Sequence, residues 1–84
     1  MQSDIDYIKI GQRIRRCRME RHMTQAELGA MIGCSNNHVS HIETGQTRVS
    51  NAVLMRIART MEMSLDYFLL DTPYAQPQTI INTE

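Results

Sequence analysis

Between Cys34 and His41 the chain sets a thiol and two imidazoles, Cys34, His38 and His41, four and three residues apart, interleaved with the uncharged hydrogen bonders Asn36, Asn37 and Ser40. Two chemistries suit these side chains. The Cys and His spacing around the start of one helix could gather a transition metal, with His22 or Cys17 as a fourth ligand. The amides suit a different task, because an Asn side chain pairs bidentately with the N6 and N7 edge of adenine in the major groove. The helical period decides between them. Val39 and Ile42 fall on an inward face, which turns Asn36, Asn37, Ser40 and His41 outward and leaves Cys34 in an apolar position before the helix. The sulfur and the imidazoles then point apart, so no metal is expected, and the outward row reads as a base-reading face. A merely solvated face would carry Lys and Glu pairs instead.

Such a row works only on a helix held at a fixed angle, and the flanking residues supply the means. Thr24 and Glu27 form a capping box, and Met23 with Leu28 has the spacing of a hydrophobic staple. Gly33 stands where a left-handed residue must end that helix, and Ser35 caps the next one, with Cys34 and Val39 as its staple. Two short helices joined by a tight glycine turn are the supersecondary pattern of a DNA-binding helix-turn-helix, although on geometry alone they also fit an ordinary corner of an all-helical domain. The surface row favours the first reading. The same grammar recurs at Ser50, with Val49 and Leu54, and at Ser64, with Met63 and Phe68. With a first helix from near Asp6 to about Arg21, burying Ile10, Ile14 and Cys17, the expectation is an all-α fold of five helices.

The segments IGQRIRRCRMERHMTQAELGAMIGCSNNHVSHIETG and LMRIARTMEMSLDYFL resemble the lambda-repressor-like family of Xre and Cro-type regulators, over residues 7 to 70. The resemblance rests on Arg18, on Thr24 and Gln25 with Leu28, on Gly33 with Ser35, on Ile42 and Glu43 with Gly45, and on Ser64, Leu65 and Asp66. It implies a helix-turn-helix motif over 24–43 with a recognition helix over 36–43, inside a DNA-binding domain of residues 1–70. Gln25 would hold a phosphate, Asn36, Asn37 and His41 would face base edges, and Arg18 with Glu43 would form an internal ion pair. The loop from Gly45 to Val49 brings Thr44, Thr47 and Arg48 to the phosphate backbone in this arrangement. The chain departs from the family pattern at His22, which stands where Gly usually closes the first helix, and at Cys17, which replaces a buried Leu.

Composition bounds the remainder. The formal net charge is zero, yet residues 9–59 carry all nine basic side chains against three acidic ones, a local charge of +6, while the two ends hold six acidic residues. A basic middle suits a polyanionic partner, here double-stranded DNA; the rival reading is a solvated first helix. Two cysteines at apolar positions read as reduced core residues, and Met23, Met31, Met61 and Met63 as core filler. The 84 residues allow one small domain and no apolar run of about 18 residues, so a cytoplasmic protein without a membrane association is expected. With no Gly-rich phosphate loop, no acidic pair and buried cysteines, neither an enzyme nor a cofactor is expected. Leu65, Phe68, Leu69 and Leu70 crowd apolar surface into one short helix, which makes Phe68, Leu69 and Leu70 candidates for a homodimer seam. Residues 71–84, with two prolines and little periodicity, read as a tail, with a short strand near Thr79 to Ile81 as an option. The leading function is a sequence-specific transcriptional repressor acting as a dimer on a near-palindromic operator. The alternative is an antitoxin or protein-interaction module whose partner is a toxin and whose DNA binding is autoregulatory.

Overall fold

The computed structural model describes residues 5–69, and in them the chain forms five helices and no strand. They are α1 (Tyr7–Glu20), α2 (Gln25–Ile32), α3 (Asn36–Thr44), α4 (Asn51–Met61) and α5 (Leu65–Leu69). Each begins at a side chain that takes up an otherwise orphaned backbone N–H. Asp6 accepts from Lys9 N at 3.1 Å, Thr24 from Glu27 N at 3.0 Å, Ser35 from His38 N at 3.0 Å, Ser50 from Val53 N at 3.2 Å and Ser64 from Tyr67 N at 3.3 Å. Glu27 returns the bond at α2, accepting from Thr24 N at 2.8 Å, so both halves of the capping box form.

The helix ends are equally explicit. Gly33 (φ 78°) and Gly45 (φ 84°) close α2 and α3 in the left-handed region, and His22 (φ 57°) follows α1 in the same conformation. His22 N donates to Met19 O and Met23 N to Arg18 O, so the chain reverses at once into α2. Glu62, also at φ 57°, closes α4 in the same way. The sequence pattern gave no warning of that fourth left-handed turn, because Glu is not a residue that favours it.

One core joins all five helices: Ile10, Ile14 and Cys17 of α1 meet Leu28 and Ile32 of α2, Val39 and Ile42 of α3, Leu54, Ile57 and Met61 of α4, and Phe68 of α5. Helix α1 crosses α3 at Gly11, where an added methyl would run into the carbonyls of Ile42 and Glu43. That close approach brings the first helix directly behind the third. Three expectations about burial are corrected. Phe68 is 1% exposed and sits in the core, because the staple with Met63 turns it inward between α1 and α4, so its ring is not available to a dimer seam. Met31 is 62% exposed, since α2 spans only 8 residues and Leu28 and Ile32 already fill its inward face. Cys34 is half-buried and packs at the core's margin, whereas Cys17 is fully inside. Leu69 packs half-buried against the core; Leu70 and the 71–84 segment, with its optional strand, lie outside the described residues.

Candidate nucleic-acid interface

Helix α3 divides by period as its residue types require. Val39 and Ile42 are buried, Asn36, Asn37 and His41 are exposed, and Ser40 and His38 are half-buried beside them. Residues 36, 37, 40, 41 and 44 share one face of a helix, so the row is continuous. Among the described residues no cluster of three His, Cys, Asp or Glu side chains has a geometry that could hold a metal ion.

What fixes this helix is a buried polar knot at its C-terminal end. Glu43 has only 1% of its side chain exposed, and Arg18 of α1 grips it as a fork, Nε to Oε2 at 2.7 Å and NH2 to Oε1 at 3.1 Å. The third guanidinium nitrogen of Arg18 donates to Met23 O at 2.7 Å, just before α2. Gln25 then donates its Nε2 to Glu43 Oε1 at 3.1 Å. A single carboxylate thereby joins α1, the entrance to α2 and the end of α3, and bidentate charge-assisted bonds of this kind fix orientation as well as distance. The pair expected between Arg18 and Glu43 is present in the structure. Gln25, assigned by resemblance to a phosphate, spends one amide hydrogen on Glu43 and keeps a second for another acceptor.

Beside the knot lies an open groove lined by Gln12, Arg15, Met19, Thr24, Gln25 and Thr44. Thr44 is exposed but its hydroxyl lies 3.2 Å and 3.3 Å from the carbonyls of Ser40 and His41, so it donates back into its own helix and can offer only lone pairs outward. Thr47 is half-buried and its N–H reaches His41 O at 3.2 Å. Arg48 is exposed, with its guanidinium carbon 5.6 Å from the centre of the Tyr7 ring.

The basic residues separate into two groups that composition alone cannot distinguish. Arg21 donates to Met61 O at 2.7 Å, Arg56 to Ile32 O at 3.1 Å, and Arg13 to Tyr67 O at 3.4 Å. With Arg18 they are used inside the fold, several of them on the carbonyl ends of helices, where cations are favoured. Lys9, Arg15, Arg16, Arg48 and Arg59 are exposed. The basic middle of the sequence is therefore divided between cations bonded within the fold and a smaller exposed set, and Tyr7 is a residue of this edge that the sequence pattern did not single out.

Cys17 of α1 is fully buried. Burial pushes its thiol above the ordinary value, partly countered by the Arg21 charge and by Arg21 NH1 at 3.0 Å from the sulfur.

Comparison with known proteins agrees with this geometry. The helix-turn-helix family matches residues 14–68. An uncharacterized HTH-type transcriptional regulator, y4aM, of Sinorhizobium fredii is 38% identical over 66 residues, which cover 79% of this chain and 46% of that protein. Repressor protein C2 of Salmonella phage P22 is 35% identical over 60 residues, 71% of this chain and 28% of the repressor. Its crystal structure with a synthetic operator superposes with a TM-score of 0.68, covering 71% of this chain and 91% of the crystallised one. The restriction-modification controller protein C.AhdI of Aeromonas hydrophila gives a TM-score of 0.71 at 27% identity, over 75% of this chain and 96% of its own. The chain spans about half the length of the first curated relatives it matches.

Proposed function

This chain belongs to the lambda-repressor-like helix-turn-helix family, and from that premise we propose that it is a sequence-specific DNA-binding repressor of transcription, acting as a homodimer on a near-palindromic operator. The observation that carries the reading is the exposed amide and imidazole row of α3, mounted on a helix whose end is locked by the buried Arg18, Glu43 and Gln25 knot. Asn36, Asn37, Ser40 and His41 read base edges in the major groove. Gln25, Thr44, Thr47 and Arg48 lie along the phosphates and set the register. Gln25 suits this because its position at the start of α2 adds the partial positive charge of a helix N-terminus to its spare N–H.

Dimerisation proceeds through the edge of α5, with Leu69 and Leu70 as the seam, while Phe68 belongs to the core. A two-fold arrangement sets the recognition helices ~34 Å apart, one turn of B-DNA, which is what makes the operator near-palindromic. Selection of bound sequences from random DNA, followed by titration of the selected duplex at increasing salt, tests the reading. A near-palindrome with half-sites one helical turn apart, and a log affinity that falls by several units per log unit of salt, are expected. Affinity independent of salt removes the nucleic-acid role, and a selected site without two-fold symmetry removes the dimer.

A further inference from the structure

The loop after α3 is fixed on both sides of Arg48 but leaves that long side chain without a described acceptor. Before it, Thr47 N–H reaches His41 O at 3.2 Å; after it, Val49 is buried in the core. The first turn of α1 lies against the same loop. An added methyl on Gly45 would meet Ile8 Cγ1 at 2.6 Å, and one residue earlier the half-buried Tyr7 ring lies 5.6 Å from the Arg48 guanidinium carbon.

We infer that Tyr7 is a positioning residue for the DNA-contacting loop: its ring holds the Arg48 guanidinium in the orientation from which it binds a backbone phosphate. A guanidinium held over a ring by cation–π attraction spends none of its N–H donors on that contact and keeps them for an acceptor. Holding the side chain before DNA arrives removes rotamer freedom that binding would otherwise have to remove. The inference rests on the proposed DNA role of Arg48 and adds to it the residue at the start of α1 that prepares that role.

The test uses the full chain and a duplex of unselected sequence about two helical turns long at low salt, since a phosphate contact is indifferent to sequence. In the free protein, NMR should find the Arg48 side-chain protons displaced by the ring current, and Tyr7→Phe should keep that displacement. Tyr7→Leu should abolish it and weaken binding about two- to fivefold, with the salt slope unchanged. Arg48→Ala should lower the slope by about one, and in that background Tyr7→Leu should add no further loss. Equal losses from Tyr7→Leu in both backgrounds, or absence of the displacement in the unmodified protein, overturn the inference with the DNA reading intact. Unaltered binding and slope in Arg48→Ala overturn it at its premise, which the operator titration of the whole chain tests separately.

Discussion

The edge built from α2 and α3 and the edge built from α4 and α5 are both assembled from short helices, but they are held by different means. At the first, polar bonds from α1 and α2 converge on the Glu43 carboxylate of α3. At the second, Phe68, Met61 and Ile57 bury apolar surface, and arginines from elsewhere reach across to main-chain carbonyls, Arg21 to Met61 and Arg13 to Tyr67. The difference teaches that a basic stretch is not by itself a nucleic-acid surface. Part of the positive charge in this chain is structural, and only the remainder is available to a partner.

The largest effects are expected where each edge has its single indispensable side chain. Glu43→Ala strands the Arg18 guanidinium in the interior and should cost about 3–5 kcal/mol. Replacing Arg18 and Glu43 together by apolar residues of similar size should recover much of that loss. Phe68→Ala should cost a similar ~3–5 kcal/mol by opening a cavity, and the loss should not depend on protein concentration, because the ring belongs to the core of a single chain. Denaturant titration at two concentrations separates the cases. A Phe68→Ala variant destabilised only at low concentration would return Phe68 to the dimer seam.

A smaller effect distinguishes two residues within the first edge. Asn37→Ala should remove about 1–3 kcal/mol of discrimination at one base pair and relax the selected sequence there. Gln25→Ala should weaken all sites alike, since its partner in the fold is Glu43 and its proposed partner on DNA is a phosphate. Competition between selected and altered duplexes measures both. If the two variants lower affinity by the same uniform factor, α3 does not do the reading.

How far the sequence disclosed each edge follows from the range of the forces involved. The caps at Thr24, Ser35, Ser50 and Ser64 were legible because donor and acceptor are three residues apart, and the order of five helices follows from them. The outward row of α3 was legible for the same reason, as a matter of one helical period. The arginine bonds were not, because Arg56 and Ile32 are 24 residues apart, Arg21 and Met61 40, and Arg13 and Tyr67 54. Phe68 could not be told from Leu69 and Leu70 in the sequence, because a count of apolar side chains in α5 does not tell which of them the core absorbs. The role of Tyr7 is not legible in the sequence, because an aromatic at a helix start carries no local signal of what lies above it.

The two non-glycine left-handed turns sharpen the comparison at about 1 kcal/mol, the scale of the strain an L residue meets there. Glu62→Gly beside α5 and His22→Gly beside α2 should both raise stability, and Glu62→Gly should raise it more, since His tolerates positive φ better than Glu does. For a domain of this size 1 kcal/mol shifts the melting temperature by roughly 4–8 °C. A drop in melting temperature for either variant would mean that its side chain makes a contact worth more than the strain.

The smallest effect lies where the two edges meet, at Cys17 in the core behind both. Burial raises its thiol above the ordinary value, while Arg21, which also holds the α4 end through Met61 O, pulls the other way. Ionisation of this thiol is therefore easier in the unfolded chain than in the folded one. Its contribution to stability is fully present below the ordinary thiol range, roughly pH 8.5, and is lost as the pH rises from there through the raised value in the fold. Cys17→Ala removes that loss along with the sulfur. Measured by urea unfolding at a series of pH values, the unmodified protein should lose stability faster than Cys17→Ala on the alkaline side, with the two curves parallel below neutrality. Curves that stay parallel throughout would mean that the Arg21 charge offsets burial completely and that the thiol ionises as readily in the fold as outside it.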